Sequence, residues 1–93
     1  MAIRKLEDFA IGESVKTNRN TKMVIIYKNE EKVILIERLK KGSYPSDIIE
    51  RKYPQNTEVV GNKIKKWCFS PKYIEKGSKL YQEYNQILEE AMG

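Results

Sequence analysis

The 93-residue chain contains no histidine and only one cysteine, Cys68. One thiol cannot form an intramolecular disulfide, and without histidine the usual zinc ligand sets cannot be assembled. A Ser-His-Asp nucleophilic site is excluded for the same reason. The five glycines are isolated, so there is no glycine-rich loop to hold a phosphate. We therefore predict a protein that is not an enzyme and that uses no metal and no cofactor.

Long apolar runs are also missing. No stretch reaches the ~18 residues expected of a membrane span, and residues 1–8 lack the apolar centre of a signal peptide. The sequence therefore predicts a cytoplasmic protein without a membrane partner. Because 40% of the residues are hydrophobic and 33% are charged, we expect one globular domain covering residues 1–93.

The net charge of +5 is unevenly distributed. Residues 61–76 contain five lysines and one glutamate, whereas residues 77–93 contain one lysine and three glutamates. The basic segment also contains Trp67 and Phe69. Such a combination is expected where a phosphate backbone or an acidic protein surface is bound. An ordinary solvated lysine face is the alternative interpretation.

The first half of the chain has the pattern of antiparallel strands. Two apolar blocks rich in β-branched residues, 23–27 and 33–36, predict strands joined by a polar connection. A shorter strand is predicted near residues 13–17, followed by the turn-forming residues 18–20. Further along, Gly61-Asn62 separates residues 58–60 from residues 63–69, which predicts a second hairpin.

The middle segment, residues 40–56, has two interpretations. Ser46 can cap a short helix that ends at Pro54, with Asp47 and Glu50 near its positive end. The alternative is an irregular loop. We favour one or two helical turns within a long connection. The capping residues favour a helix, but the segment is too short for a helix that is stable by itself.

The C-terminal segment predicts an amphipathic helix over about residues 78–92, capped by Ser78. Its apolar stripe consists of Leu80, Tyr84, Ile87, Leu88 and Ala91. The stripe most simply packs on the sheet. If it were exposed, it would provide a surface for a homodimer or another partner.

Residues 63–69 of the basic segment also alternate in a regular way. On a strand, alternation places Lys63, Lys65, Trp67 and Phe69 on one face. If that face is exposed, the lysines can contact phosphates while Trp67 stacks on a base. If it is buried, Trp67 and Phe69 anchor the core and the lysine stems extend past them to water.

The run Phe69, Pro71, Tyr73 and Ile74 resembles the closing signature of SH3 barrels, with one residue fewer between the proline and the tyrosine. In that family the proline and the tyrosine line a peptide groove, so the resemblance implies the same role for Pro71, Tyr73 and Trp67. The start of the chain, residues 9–15 and 23–24, is similar to small uncharacterised bacterial SH3-like proteins of the YodC type. Because the acidic RT loop of peptide-binding SH3 domains is missing, the resemblance implies barrel architecture rather than proline-rich ligands.

We therefore predict a mainly β, α+β fold: a partly open SH3-like β-barrel of about five antiparallel strands over residues 9–76, with a short middle helix and a C-terminal α-helix. The first functional hypothesis is a nucleic-acid-binding accessory or regulatory protein. The second is a protein-interaction module for an acidic surface, such as an inhibitor or adaptor encoded by a phage or mobile element. The residues predicted to bind nucleic acid or a partner are Lys63, Lys65, Lys66, Trp67, Lys72, Tyr73, Tyr44 and Tyr53.

Overall fold

The computed structural model describes residues 3–17, 20–39, 46–65 and 71–92. These residues form eight strands, one short 3-10 helix and one α-helix. In chain order the elements are β1 (Ile3–Lys5), the 3-10 helix (Leu6–Asp8), β2 (Ser14–Lys16), β3 (Lys22–Lys28), β4 (Lys32–Arg38), β5 (Ile48–Pro54), β6 (Glu58–Val60), β7 (Lys63–Ile64), β8 (Lys72–Ile74) and α1 (Lys79–Met92).

All eight strands belong to one sheet in the order β1-β6-β7-β2-β3-β4-β5-β8. Neighbouring strands are antiparallel except β2 and β7, which are parallel. Within the described ranges the sheet is open, with β1 and β8 at its two ends. The predicted mainly β fold with a C-terminal helix is confirmed. The sheet has eight strands rather than about five, and it begins at Ile3, before the predicted start of the barrel at residue 9.

The first predicted hairpin is present, and the second is present as far as Ile64; residues 66–69 of its predicted second strand lie outside the described ranges. Strands β3 and β4 pair across a turn in which the Asn29 side-chain oxygen accepts hydrogen bonds from the backbone N–H groups of Glu31 (2.8 Å) and Lys32 (2.9 Å). Strands β6 and β7 pair through Val60 and Lys63, with Gly61 at a φ of 67°. Asparagine suits such a turn because its side chain accepts hydrogen bonds from nearby backbone N–H groups. Glycine suits it because it adopts a positive φ without strain.

The predicted middle helix is wrong, because residues 48–54 form strand β5. This strand pairs with β4 along its whole length, from Ile48 opposite Arg38 to Pro54 opposite Lys32. Its β-branched and aromatic residues favour an extended backbone once a partner strand is available. The strand pairing outweighs the capping tendency of Ser46, which is buried instead. Residues 40–45 of the predicted connection lie outside the described ranges.

Apolar side chains are buried on both faces of the sheet. We call the face that carries Val15 and Tyr53 the inner face and the opposite one the outer face. The inner core consists of Leu6, Phe9, Val15, Met23, Ile25, Val33, Leu35, Tyr53, Val59 and Ile64. The outer core consists of Val24, Ile36, Ile48, Ile74 and Leu88, with the stripe of α1 packed against it. The helix therefore lies over β3, β4 and β5. The apolar stripe of the helix packs on the sheet, as predicted, and is not an exposed partner surface.

Helix α1 is held by polar contacts as well as by its apolar stripe. The Ser78 hydroxyl oxygen accepts a 3.1 Å hydrogen bond from the backbone N–H of Tyr81, which confirms the predicted cap. Near the middle of the helix, Arg38 of β4 donates a hydrogen bond to the Asn85 side chain. In the described parts of the chain, no helix is both long and apolar enough to cross a membrane.

Candidate functional site

The structure separates the predicted binding residues into two places. Lys63 and Lys65 are exposed on β7 and directly after it. Lys72 and Tyr73 are exposed on β8. Four strands lie between β7 and β8 in the order of the sheet. The two groups therefore do not form one continuous row along the sheet.

Tyr53 is not available as a surface anchor, because only 2% of it is exposed. It lies in the inner core, where the alternate residues of β5 place it opposite Val33 of β4. The prediction that Tyr53 contacts a partner is therefore corrected. Tyr44, Lys66 and Trp67 lie outside the described residues, so their binding roles stay predictions.

Three lysines occupy neighbouring positions on three adjacent strands. Lys16 of β2 lies opposite Lys22 of β3 on one side and opposite Lys63 of β7 on the other. All three lie on the outer face, because their chain neighbours Val15, Met23 and Ile64 point into the inner core. We call Lys22, Lys16 and Lys63 the lysine row.

The lysine row is open to solvent. Lys22 and Lys63 are exposed, and Lys16 is half-buried. Within the described ranges, none of the three ammonium groups has an ion-pair or hydrogen-bond partner. Like charges directly opposite one another in a sheet are destabilising. The row is therefore a concentrated positive site whose charge the described side chains leave uncompensated.

A second line of charges lies beside the row on the same face. Lys5 of β1 is opposite Glu58 of β6, and the ammonium group of Lys65 lies 3.5 Å from a Glu58 carboxylate oxygen. Glu58 therefore pairs with Lys65, whereas Lys5 is its cross-strand neighbour. We call the outer surface formed by Lys5, Glu58, Lys65 and the lysine row the basic face.

Helix α1 presents the opposite charge. Its exposed residues include Glu83, Glu89 and Glu90, against the single lysine Lys79. The helix packs on the outer face chiefly over β3, β4 and β5. An anionic ligand is therefore attracted to the basic face and repelled from the exposed side of the helix.

Two buried carboxylates of the described residues, those of Glu37 and Glu50, have partners within the fold. A guanidinium nitrogen of Arg51 lies 3.2 Å from a Glu37 oxygen, and both side chains are largely buried. Burial, together with a hydrogen bond to Glu50, raises the pKa of Tyr84 above its usual range. Hydrogen bonding to Asp47 likewise raises the pKa of Tyr81. No group of three or more acidic or cysteine side chains in the described residues is placed to hold a metal ion.

The sequence interpretation missed two members of the lysine row, Lys16 and Lys22. The sequence did contain a signal for them. Each of the two lysines lies two residues outside the predicted turn at residues 18–20, so a hairpin around that turn places them opposite each other. Their proximity to Lys63 was not predictable in this way. It depends on the parallel contact between β2 and β7, which joins residues far apart in the chain.

In comparisons with known proteins, no family model, no curated protein and no solved structure matches the chain.

Proposed function

We propose that this protein is a nucleic-acid-binding accessory or regulatory protein without enzymatic activity. The observation that carries the proposal is the lysine row: three uncompensated ammonium groups on adjacent strands of an accessible face. Clustered lysines that cost stability in the isolated protein are compensated when phosphates lie between them. A strip of such cations is the electrostatic footprint expected of a protein that tracks a phosphate backbone.

Binding by the row depends on salt in a calculable way. Each phosphate that a lysine neutralises releases condensed counterions, so the logarithm of the affinity falls with the logarithm of salt by about 0.9 per contact for duplex and about 0.7 for a single strand. Three contacts from the row therefore contribute a slope of roughly −2 to −3. This contribution carries no sequence preference, because phosphates are the same at every nucleotide.

The test measures fluorescence anisotropy of labelled single- and double-stranded oligonucleotides across a salt series. The row variant combines Lys16→Gln, Lys22→Gln and Lys63→Gln. The control variant combines Lys32→Gln, Lys76→Gln and Lys79→Gln, which remove the same charge elsewhere on the protein. We expect the row variant to lose most of the affinity and roughly 2 units of slope, whereas the control keeps the slope. Undetectable binding of the wild-type protein at low salt would refute the proposal.

An acidic protein surface is the second class of ligand that the lysine row suits. The two classes are separated by a pull-down from nuclease-treated lysate with the same row and control variants. Row-dependent capture of an acidic protein, combined with no oligonucleotide binding, would favour a protein-interaction module. Row-dependent oligonucleotide binding favours the first proposal.

We also propose that the sheet has an SH3-like architecture. The support is the meander of β2, β3, β4 and β5, whose inner faces share one core with Phe9 and Val59. An experimental structure tests this by the strand order and by the placement of residues 66–70. A sheet that stays flat and leaves the inner core open on one side would contradict it.

A further inference from the structure

The lysine row continues into two apolar residues. Lys63 lies opposite Val60 of β6, and Val60 lies opposite Ile3 of β1. One line of side chains therefore crosses five strands on the outer face, in the order Lys22, Lys16, Lys63, Val60, Ile3. Val60 is half-buried, and Ile3 is 63% exposed at the edge of the sheet.

This line offers two kinds of contact next to each other. Strands in a sheet are about 4.8 Å apart, so Ile3 lies roughly 10 Å from Lys63 and roughly 14 Å from Lys16 along the line. The ammonium groups suit phosphates, whereas the apolar end suits an uncharged surface that gains from leaving water. In a single strand, unstacked bases provide such a surface within a nucleotide of the phosphates.

A duplex does not fit the same face. Its bases are reached through the grooves, and the major groove admits a helix or a two-stranded ribbon that projects from the protein. Helix α1 packs on the sheet and exposes glutamates. The β6–β7 ribbon does not project either, because β6 pairs with β1 and β7 pairs with β2. On a duplex the apolar end of the line therefore has no base to contact.

We infer that the ligand of the basic face is single-stranded nucleic acid, with phosphates on the lysine row and an unstacked base on Ile3 and Val60. This inference rests on the proposed function and specifies its substrate class.

The test compares three probes: a labelled oligonucleotide of about 20 thymidines, its duplex with the complementary strand, and inorganic polyphosphate, which has the charge but no base. The variant Ile3→Thr keeps the β-branch and removes the apolar contact. Ile11→Thr is the matched control, since Ile11 is also highly exposed but lines a cleft beside Ile87 and Ala91 of α1. Val60→Thr is a second test of the apolar end, and circular dichroism verifies that each variant is folded.

We expect the wild-type protein to prefer the single strand, and Ile3→Thr to weaken that binding by about 3- to 10-fold. Binding of duplex and polyphosphate should not change, and Ile11→Thr should behave as wild type. If single strand and duplex bind equally and neither Ile3→Thr nor Val60→Thr matters, the inference fails while the proposed function stands. If neither the single strand nor the duplex binds, both fail.

Discussion

The hydroxyl of Tyr84 in α1 donates a 2.7 Å hydrogen bond to Oε2 of Glu50 in β5. Glu50 is only 5% exposed, and its other carboxylate oxygen lies 3.7 Å from the ammonium group of Lys52. A buried carboxylate without such partners is costly. The contact therefore makes the position of the helix on the sheet specific, beyond what the apolar stripe alone achieves.

We predict that Tyr84→Phe lowers the free energy of unfolding by about 1–2 kcal/mol, because Glu50 loses its closest donor. The change also alters the response to alkali. Tyr84 has a raised pKa when folded, so its stabilisation is complete below its ordinary pKa of about 10 and declines as the pH rises above that value. Urea unfolding between neutral pH and pH 11 should show a smaller alkaline loss in Tyr84→Phe than in wild type.

Tyr27→Phe is the control for this experiment, since Tyr27 is an exposed tyrosine of the same sheet. It should leave the free energy of unfolding at neutral pH close to that of the wild type. Part of the decline will persist in Tyr84→Phe, because Tyr81 also has a raised pKa. Identical alkaline profiles for Tyr84→Phe and wild type would contradict the assigned contact.

The buried pair of Glu37 and Arg51 gives a second prediction. Arg51→Met should cost about 3–5 kcal/mol, because it leaves the Glu37 carboxylate buried without its guanidinium partner. The double variant Glu37→Leu with Arg51→Met should recover most of that loss, since apolar replacement of a buried pair is often neutral. Chemical denaturation of the two variants measures the difference. A double variant as unstable as Arg51→Met alone would show that the pair is not the cause.

The lysine row predicts a conflict between stability and binding. Lys16→Glu replaces two repulsive cross-strand pairs, with Lys22 and Lys63, by two attractive ones. We expect it to raise the free energy of unfolding by about 0.5–1 kcal/mol at low salt and by less at high salt. The same variant should weaken oligonucleotide binding. Thermal melts in low and high salt measure the effect, with Lys76→Glu as the control because Lys76 is exposed and precedes the helix. A destabilised Lys16→Glu would contradict the prediction.

The cap of α1 gives a prediction that concerns folding alone. Ser78→Ala removes the acceptor of the Tyr81 N–H and should cost about 1 kcal/mol. Ser78→Asp should restore most of the loss, because aspartate is an equally good cap and suits the positive end of the helix. Urea denaturation measures both variants. Equal stability of Ser78→Ala and wild type would show that the first turn is held by other contacts.

The elements whose signals are local were predictable from the sequence. The β3–β4 hairpin follows from β-branched blocks separated by a polar turn, and α1 follows from Ser78 and a stripe at helical spacing. Strand β5 was not predictable in the same way. Its capping residues favour a helix locally, and only the pairing with β4, the preceding strand in the chain, favours the extended backbone.

The candidate site was predictable only in part. Exposure of Lys63 and Lys65 follows from alternation around Ile64, which is buried. Burial of Tyr53 and the association of Lys16 with Lys63 depend on strand pairings between distant segments. Composition indicates that lysines are abundant, but the topology of the sheet determines which of them lie side by side.

The two ends of the sheet are short: within the described residues, β1 and β8 contain three residues each. Each carries lysine, Lys5 on β1 and Lys72 on β8. A brief, charged edge offers few unpaired backbone groups to a passing strand and repels another copy of itself. We therefore expect concentrated solutions of this β-rich chain to resist edge-to-edge aggregation and fibril growth.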